Sequence, residues 1–269
     1  MRKFLNTKIL WGIFSVAIGI SLANIAFSFL GERIAESQNN EASVIQIISP
    51  EENDKATQAK YYYVNKDTNG GPKVSAKAYL IGDIDTGEII LSKNQDQKFP
   101  IASTSKLMTA LIATEINSSE NITQINKKVL STKGTNGELR LGEKIKISDL
   151  LYPLLLESSN DAAEALAFYF GRESFISKMN QQAEKLKMSS TSYEDPSGLS
   201  SNNQSTASDM FKLTGYLNQQ KPDLFKITTK RSYSNKKHSW SNISQFLGKD
   251  GYFGGKSGYT DAAKQTAIS

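Results

Sequence analysis

The chain has 269 residues, of which 38% are hydrophobic and 22% charged, a balance that suits one large domain or two small ones and excludes wholesale disorder. The formal charge of +5 draws on Arg2, Lys3 and Lys8 at the N-terminus, so it is partly a terminal effect and gives no nucleic-acid footprint. There is no cysteine and one histidine, His238, which excludes disulfide scaffolds, thiol catalysis, iron–sulfur clusters, Cys-based zinc sites and His-pair metal motifs.

Residues 9–30 carry no charge over 22 positions, roughly 33 Å of helix and enough for a bilayer core. Arg2, Lys3 and Lys8 precede this run, and Glu32, Arg33 and Glu36 follow it without a positive excess. The positive-inside rule then keeps the N-terminus in the cytoplasm and puts the rest outside. Ser21-Leu22-Ala23 offers a signal-peptide cleavage site, but the apolar run continues past it. Residues 1–30 therefore read as a membrane anchor or a signal peptide, with the uncleaved anchor favoured. Both readings place the body outside the cytoplasmic membrane. Residues 31–72 are polar and irregular apart from short apolar patches at 44–48 and 61–64. They read as an extracytoplasmic linker with a reach of roughly 35 Å.

A folded pattern begins at residue 73. Residues 74–81 and 88–92 are β-prone, and Asp83-Ile84-Asp85-Thr86-Gly87 between them is rich in turn formers, so the segment predicts a hairpin. A helix is expected from Pro100 to about Ile116, with Leu107, Met108, Leu111 and Ile112 on one face. Residues 150–170 predict helix with a break at Glu157-Ser158-Ser159-Asn160-Asp161. A further helix starts near Thr206, where Thr206-Ala207-Ser208-Asp209 has capping-box form. Residues 252–268 predict strand and turn. Strands at both ends with helices between them point to a sheet packed against a helical body.

Ser103-Thr104-Ser105-Lys106 opens the first helix. Positions i and i+3 share a face, so the Lys106 amine can reach the Ser103 hydroxyl. The helix N-terminus adds free N–H groups for a developing oxyanion, and burial there would favour a neutral lysine base. Alone this is an ordinary helix cap in most proteins, and Ser234-Asn235-Lys236-Lys237 matches the same spacing in a polar stretch. We take Ser234 as a decoy. Two further elements change the weight: Ser158-Ser159-Asn160 at the helix break, and Lys256-Ser257-Gly258 in the late β-prone segment. Ser-x-x-Lys, Ser-x-Asn and Lys-Ser/Thr-Gly in that order form the signature of penicillin-interacting serine enzymes.

Other readings are weaker. Gly255-Lys256-Ser257 is no phosphate loop, since Asp250 stands where a glycine is needed. No Gly-x-Ser-x-Gly elbow exists to support a triad through His238, which reads as an ordinary polar residue. Glu194 and Asp195 precede Pro196-Ser197-Gly198 and read as a structural turn, and Asp209 reads as a cap.

From residue 73 onward the chain resembles the D-alanyl-D-alanine carboxypeptidases, low-molecular-mass penicillin-binding proteins of the bacterial wall. The resemblance is carried by the three motifs and their surroundings: Pro100-Ile101-Ala102 before Ser103, Asp161-Ala162-Ala163 after Asn160, Asp195-Pro196-Ser197-Gly198-Leu199, and Gly255 through Thr260. Ser257 stands where the family often has Thr, and the hydroxyl is retained. The resemblance implies an α+β fold of β-lactamase/transpeptidase type, with a mostly antiparallel sheet flanked by helices and a helical subdomain. It implies Ser103 as nucleophile, Lys106 as its base, and Ser158 as a proton relay to the leaving D-alanine. Asn160 would hold the substrate backbone, and Lys256 and Ser257 the terminal carboxylate. Gly258 would let substrate approach the strand, and the N–H groups of Ser103 and Tyr259 would form the oxyanion hole. No metal or organic cofactor is implied. The implied partners are peptidoglycan stem peptides as substrate and β-lactams as acylating inhibitors.

Two alternatives stand beside this. A β-lactamase needs a deacylating Glu, and no Glu-x-x-Leu-Asn occurs between Asn160 and Lys256. A catalytically weak, membrane-tethered wall-binding protein is the other. It is motivated by the expectation that residues 73–269 lack the family's last strand and helix.

Overall fold

The computed structural model describes residues 74–116 and 120–269. The charge-free run at 9–30 and the expected linker at 31–72 lie outside the described residues. The chain divides into Met1–Asn69 and Gly70–Ser269, and the described residues belong to the second unit. Among them no helix is long and apolar enough to cross a membrane.

The expected opening hairpin is present. Strands β1 (Tyr79–Gly82) and β2 (Ile89–Lys93) pair antiparallel, with Tyr79 opposite Lys93. The Asp83 carboxylate accepts from the N–H groups of Asp85 (2.8 Å) and Thr86 (3.2 Å), which bends the chain between them. The first strand starts at Tyr79 rather than 74. The ladder ends where Asn94 takes a φ of 47°, and side chains bind the carbonyls beyond it: Lys93 Nζ donates to Ala76 and Asn94 Nδ2 to Lys77.

Strand β3 (Phe99–Pro100) leads into a single 3-10 turn at Ala102–Thr104 and then helix α1 (Ser105–Ile116). Ser103 therefore lies in the 3-10 turn and Lys106 in the first turn of α1. The expected one-sided apolar face is not how α1 is used. Every residue from Ser105 to Ala113 is buried, because other helices enclose it. After β4 (Ile122–Gln124), the short α2 (Lys127–Leu130) and β5 (Lys144–Lys146), these are α3 (Ile147–Leu156), α4 (Asn160–Phe170) and α5 (Arg172–Lys185). The core joins Leu107, Met108 and Leu111 of α1 to Leu150, Leu154, Leu166 and Phe175. Each such side chain contributes about 1.5–3 kcal/mol by leaving water.

The predicted break between helices falls where expected. Pro153 lies inside α3, and its carbonyl accepts from the N–H groups of Glu157 and Ser159, closing the helix. Ser158 turns the chain with a φ of 63°, and Ser159 caps α4 by accepting from Ala162 N–H at 2.9 Å. Strand β6 (Gln204–Ser205) pairs with β3, and Thr206 caps α6 (Ala207–Gln220) as its capping pattern predicts. Helix α7 (Pro222–Thr228) and the hairpin β7 (Ser232–Ser234) with β8 (Ser239–Ser241) follow. The final hairpin, β9 (Lys256–Thr260) with β10 (Lys264–Ile268), packs against the 102–104 turn. Among the described residues all strand pairing is antiparallel, in two-stranded ladders set around the helices.

Candidate active site

Three segments distant in sequence meet at Ser103. Its turn begins at Ala102, a buried residue held at a φ of 47°. Two glycines clamp that turn. A Cβ on Gly198 would stand 1.9 Å from the Ala102 carbonyl oxygen, and one on Gly258 2.5 Å from the Ser103 nitrogen. Gly258 was expected to admit substrate. The structure gives it a prior task, since any side chain there would displace the Ser103 backbone.

Lys106 has no exposed surface. Its Nζ lies 3.0 Å from Ser103 Oγ, 2.7 Å from Asn160 Oδ1 and 2.6 Å from the Ser197 carbonyl oxygen. The last two can only accept. A neutral amine has two N–H bonds and one lone pair, so donating to Asn160 and Ser197 leaves the lone pair for the Ser103 hydroxyl proton. Burial, reinforced by the positive charge of Lys256, pushes the Lys106 ammonium well below the ordinary lysine range, while Asp195 and Asp161 oppose this. Geometry and electrostatics agree on a lysine prepared to act as a base.

Asn160 is oriented without ambiguity. Its Nδ2 donates to the Lys133 carbonyl at 2.8 Å, so a flipped amide would set donor against donor at Lys106. Both ends of the side chain are thus engaged within the protein, and what Asn160 holds here is Lys106. The residues supporting it were not apparent from sequence. Asn160 N–H donates to the Thr135 carbonyl, Gly137 N–H to Asp161 Oδ1, and Trp240 Nε1 to the Gly137 carbonyl. Residues 133–137 form a wall of the site, and its only sequence signal was the spacing of Gly134 and Gly137.

Ser158 is partly exposed, and its hydroxyl has no hydrogen-bond partner among the described residues. Lys106 bonds to Ser103, Asn160 and Ser197, and not to Ser158.

Asp195 organises the turn that supplies the Ser197 carbonyl. Its Oδ1 accepts from the N–H groups of Ser197 (2.7 Å), Gly198 (2.6 Å) and Leu199 (3.3 Å) and from the Ser197 hydroxyl (2.8 Å), while Oδ2 accepts from Ser200 N–H (2.6 Å). Burial alone would raise its pKa, but these donors outweigh burial and hold it below the usual carboxylate range. The reading of this segment as a structural turn stands, with an added consequence: the turn is part of the site.

Strand β9 carries the third motif. Lys256 is 6% exposed, and its Nζ donates to the Ser257 carbonyl at 2.6 Å. Burial lowers its pKa to about 8. Ser257 lies opposite Ala267 and Gly258 opposite Thr266, whose hydroxyl donates to the Ile101 carbonyl at 3.1 Å, tying β10 to the residue before the 102–104 turn. The Tyr259 ring is exposed, with its hydroxyl 3.2 Å from Asp261 Oδ1.

The set-aside residues lie elsewhere. Ser234 sits on β7, not a helix, with its hydroxyl against Ser239. His238 Nε2 lies 3.0 Å from Glu143 Oε2, and its ring stacks on Trp240.

A family profile described as D-alanyl-D-alanine carboxypeptidase matches residues 65–269. Among curated relatives, a D-alanyl-D-alanine endopeptidase of Escherichia coli (strain K12) is 32% identical over 208 residues, 73% of this chain and 67% of that protein. Its counterpart in Haemophilus influenzae is 39% identical over 145 residues, covering 52% of this chain and 50% of the relative. The D-alanyl-D-alanine carboxypeptidase DacB2 of Mycobacterium tuberculosis is 30% identical over 73% of this chain and 70% of its own length. The chain thus spans between half and about 70% of these three relatives. Among solved structures, a D-alanyl-D-alanine carboxypeptidase from Mycobacterium tuberculosis H37Rv matches with a TM-score of 0.68 at 29% identity, covering 72% of this chain and 76% of that one. Penicillin-binding protein D2 from Listeria monocytogenes, in its cefotaxime-bound form, matches at 0.66 and 30% identity, covering 73% and 84%.

Proposed function

This chain belongs to the D-alanyl-D-alanine carboxypeptidase family, and from that premise we propose that it is a serine-type peptidase that removes the terminal D-alanine from peptidoglycan stem peptides through an acyl-enzyme on Ser103. The observation that carries the reading is the placement of Lys106, buried between two obligate acceptors with its remaining direction toward Ser103 Oγ.

Neutral Lys106 takes the Ser103 proton as Oγ attacks the carbonyl carbon of the penultimate D-alanine. The oxyanion is met by the backbone N–H groups of Ser103 and Tyr259. The peptide C–N bond then breaks, and the proton held by Lys106 passes to the departing amine of D-alanine. The partly exposed Ser158 hydroxyl, which Lys106 does not contact in the free chain, is the proposed relay once substrate is bound. Water then attacks the ester carbonyl, Lys106 takes its proton, and as the C–O bond breaks that proton passes to Ser103 Oγ, which regenerates the free enzyme. Lys256 and the Ser257 hydroxyl receive the terminal carboxylate, which selects a free peptide end. Asn160 holds the Lys106 amine throughout. A β-lactam enters as a cyclic amide that acylates Ser103 in the same way, a reading supported by the cefotaxime bound to the Listeria relative.

The charge-free residues 9–30, with positive residues before them, support an anchor or signal peptide that puts the catalytic unit of residues 73–269 outside the cytoplasmic membrane, with 31–72 as spacer. Wall peptides are found there.

A second reading is favoured by the relatives named endopeptidases, which include the E. coli and H. influenzae proteins above. In it the scissile bond is a D-alanyl cross-link rather than the bond to a terminal D-alanine. The deciding experiment incubates the full chain with purified monomeric pentapeptide and with cross-linked dimers, after mapping a fluorescent penicillin adduct by digestion. An adduct on Ser103 with D-alanine released from monomers supports the carboxypeptidase. Cleavage of dimers alone supports the endopeptidase. An adduct on Ser234, or labelling that survives Ser103→Ala, overturns both.

A further inference from the structure

We infer that Asp195 is a positioning residue for the acylation step: its carboxylate folds residues 195–200 so that the Ser197 carbonyl holds Lys106 beside Ser103. The inference rests on the roles read above for Ser103 and Lys106.

A turn of this length does not need a buried carboxylate. Asp195 is only 8% exposed, and burying an anion is costly unless it is fully hydrogen-bonded. Here it is met by four backbone N–H groups and one hydroxyl, all from the five residues that follow it. Such convergence fixes the peptide planes of the turn, and therefore the direction of the Ser197 carbonyl, which accepts from Lys106 at 2.6 Å. The turn is also attached to α1 on either side of that contact. Asn203 Nδ2 donates to both the Asp195 carbonyl (2.8 Å) and Ser105 Oγ (3.1 Å), and Thr109 Oγ1 donates to the Pro196 carbonyl. Gly198 closes against the Ala102 carbonyl. A shift of the turn is thus a shift of both the Lys106 amine and the Ser103 backbone.

The same carboxylate acts on Lys106 through its charge. The groups that bear on Lys106 are Lys256 from β9, Asp161 from α4 and Asp195 from the turn. The first pushes its pKa down, and the two acids pull it up. Loss of the Asp195 charge therefore moves the Lys106 titration to lower pH, a charge effect separate from the fall in plateau that displacement of the Ser197 carbonyl produces.

The test is the pH dependence of the penicillin acylation rate of the full chain. Asp195→Asn keeps the size of the side chain and removes its charge. Its rate–pH curve is expected to rise at lower pH than the parent's, with a plateau about 10- to 100-fold lower from displacement of the carbonyl. Asp195→Glu retains the charge and displaces it, so the rise stays at the parent pH while the plateau falls. Ser197→Ala removes one of five donors and leaves charge and carbonyl, so only a fall of a few-fold is expected. If Asp195→Asn has the parent's curve, or only a lower melting temperature with the rise unmoved, the inference is overturned. Should Asp195→Asn not fold, Asp195→Glu and Ser197→Ala decide: parent plateaus in both overturn it. A parent chain that is not acylated at Ser103 would instead refute the reading of the site itself.

Discussion

The site contains two buried lysines for which opposite tasks are proposed, and their surroundings differ accordingly. Lys106 on α1 is fully enclosed, faces three oxygens from three segments, and lies under the repulsion of a second ammonium. Lys256 on β9 is almost as buried, but its one hydrogen bond is to the carbonyl of its own neighbour Ser257, and burial alone lowers its pKa, to about 8. Near pH 7 Lys256 remains mostly charged, while Lys106 is driven toward the neutral form. One lysine is held by three oxygens, as the proposed base requires; the other keeps a charge with no carboxylate partner among the described residues. Burial lowers both pKa values and is the main cause at each; at the fully enclosed Lys106 the charge of Lys256 adds to it.

The largest test of this contrast exchanges the side chains' chemistry. Lys106→Arg keeps a positive charge but cannot deprotonate near neutral pH, so penicillin acylation should fall by about 10³-fold or more. Acylation at the parent rate would remove Lys106 from the role of base.

Gly258→Ala is expected to come next. It places a methyl 2.5 Å from the Ser103 nitrogen, so strand or turn must move, and roughly 10²-fold is lost in the acylation rate. Stopped-flow labelling at several penicillin concentrations separates this loss from a change in binding.

Lys256→Arg sharpens the other half of the comparison. In the parent, binding of carboxylate-bearing substrates should weaken as pH rises through about 8, where Lys256 loses its proton. Arginine stays charged, so the weakening at high pH should disappear while a fraction of activity persists. An alkaline limb that survives in the variant belongs to another group.

The smallest effect is on stability. The unfolded Lys256 titrates near 10.5 and the folded one near 8. Between these values the unfolded chain binds the extra proton, so this residue's contribution to stability rises with pH from about 8 to 10.5 and is unfavourable below. Lys256→Met should therefore raise the melting temperature at pH 7 by a few degrees, about 1–2 kcal/mol, while activity falls. Calorimetry at pH 7 checks it, and a lower melting temperature would show that Lys256 is better compensated than its single hydrogen bond suggests.

The parts of this protein legible in the sequence are those in which neighbours along the chain become neighbours in space. Ser103 and Lys106 are three residues apart, a spacing that helical periodicity brings to one face. The Asp83 turn, the Ser158–Ser159 break and the Thr206 cap are local hydrogen-bonding choices written in polar side chains. The order of the three motifs carried the rest of the site by resemblance. Other features depended on the closed fold. The Ser197 carbonyl belongs to every residue type equally, so no side chain announces it. Gly258 is needed because β9 crosses the Ser103 backbone, an approach set by packing across more than 150 residues. Asn160 turns its two polar ends to Lys106 and Lys133 because α4 and the 133–137 wall close on α1 together. Sequence alone determined which groups are chemically able to react. Tertiary structure decided their protonation and aim, because desolvation and orientation are set by every segment that closes over a residue, and those segments are distant in the chain.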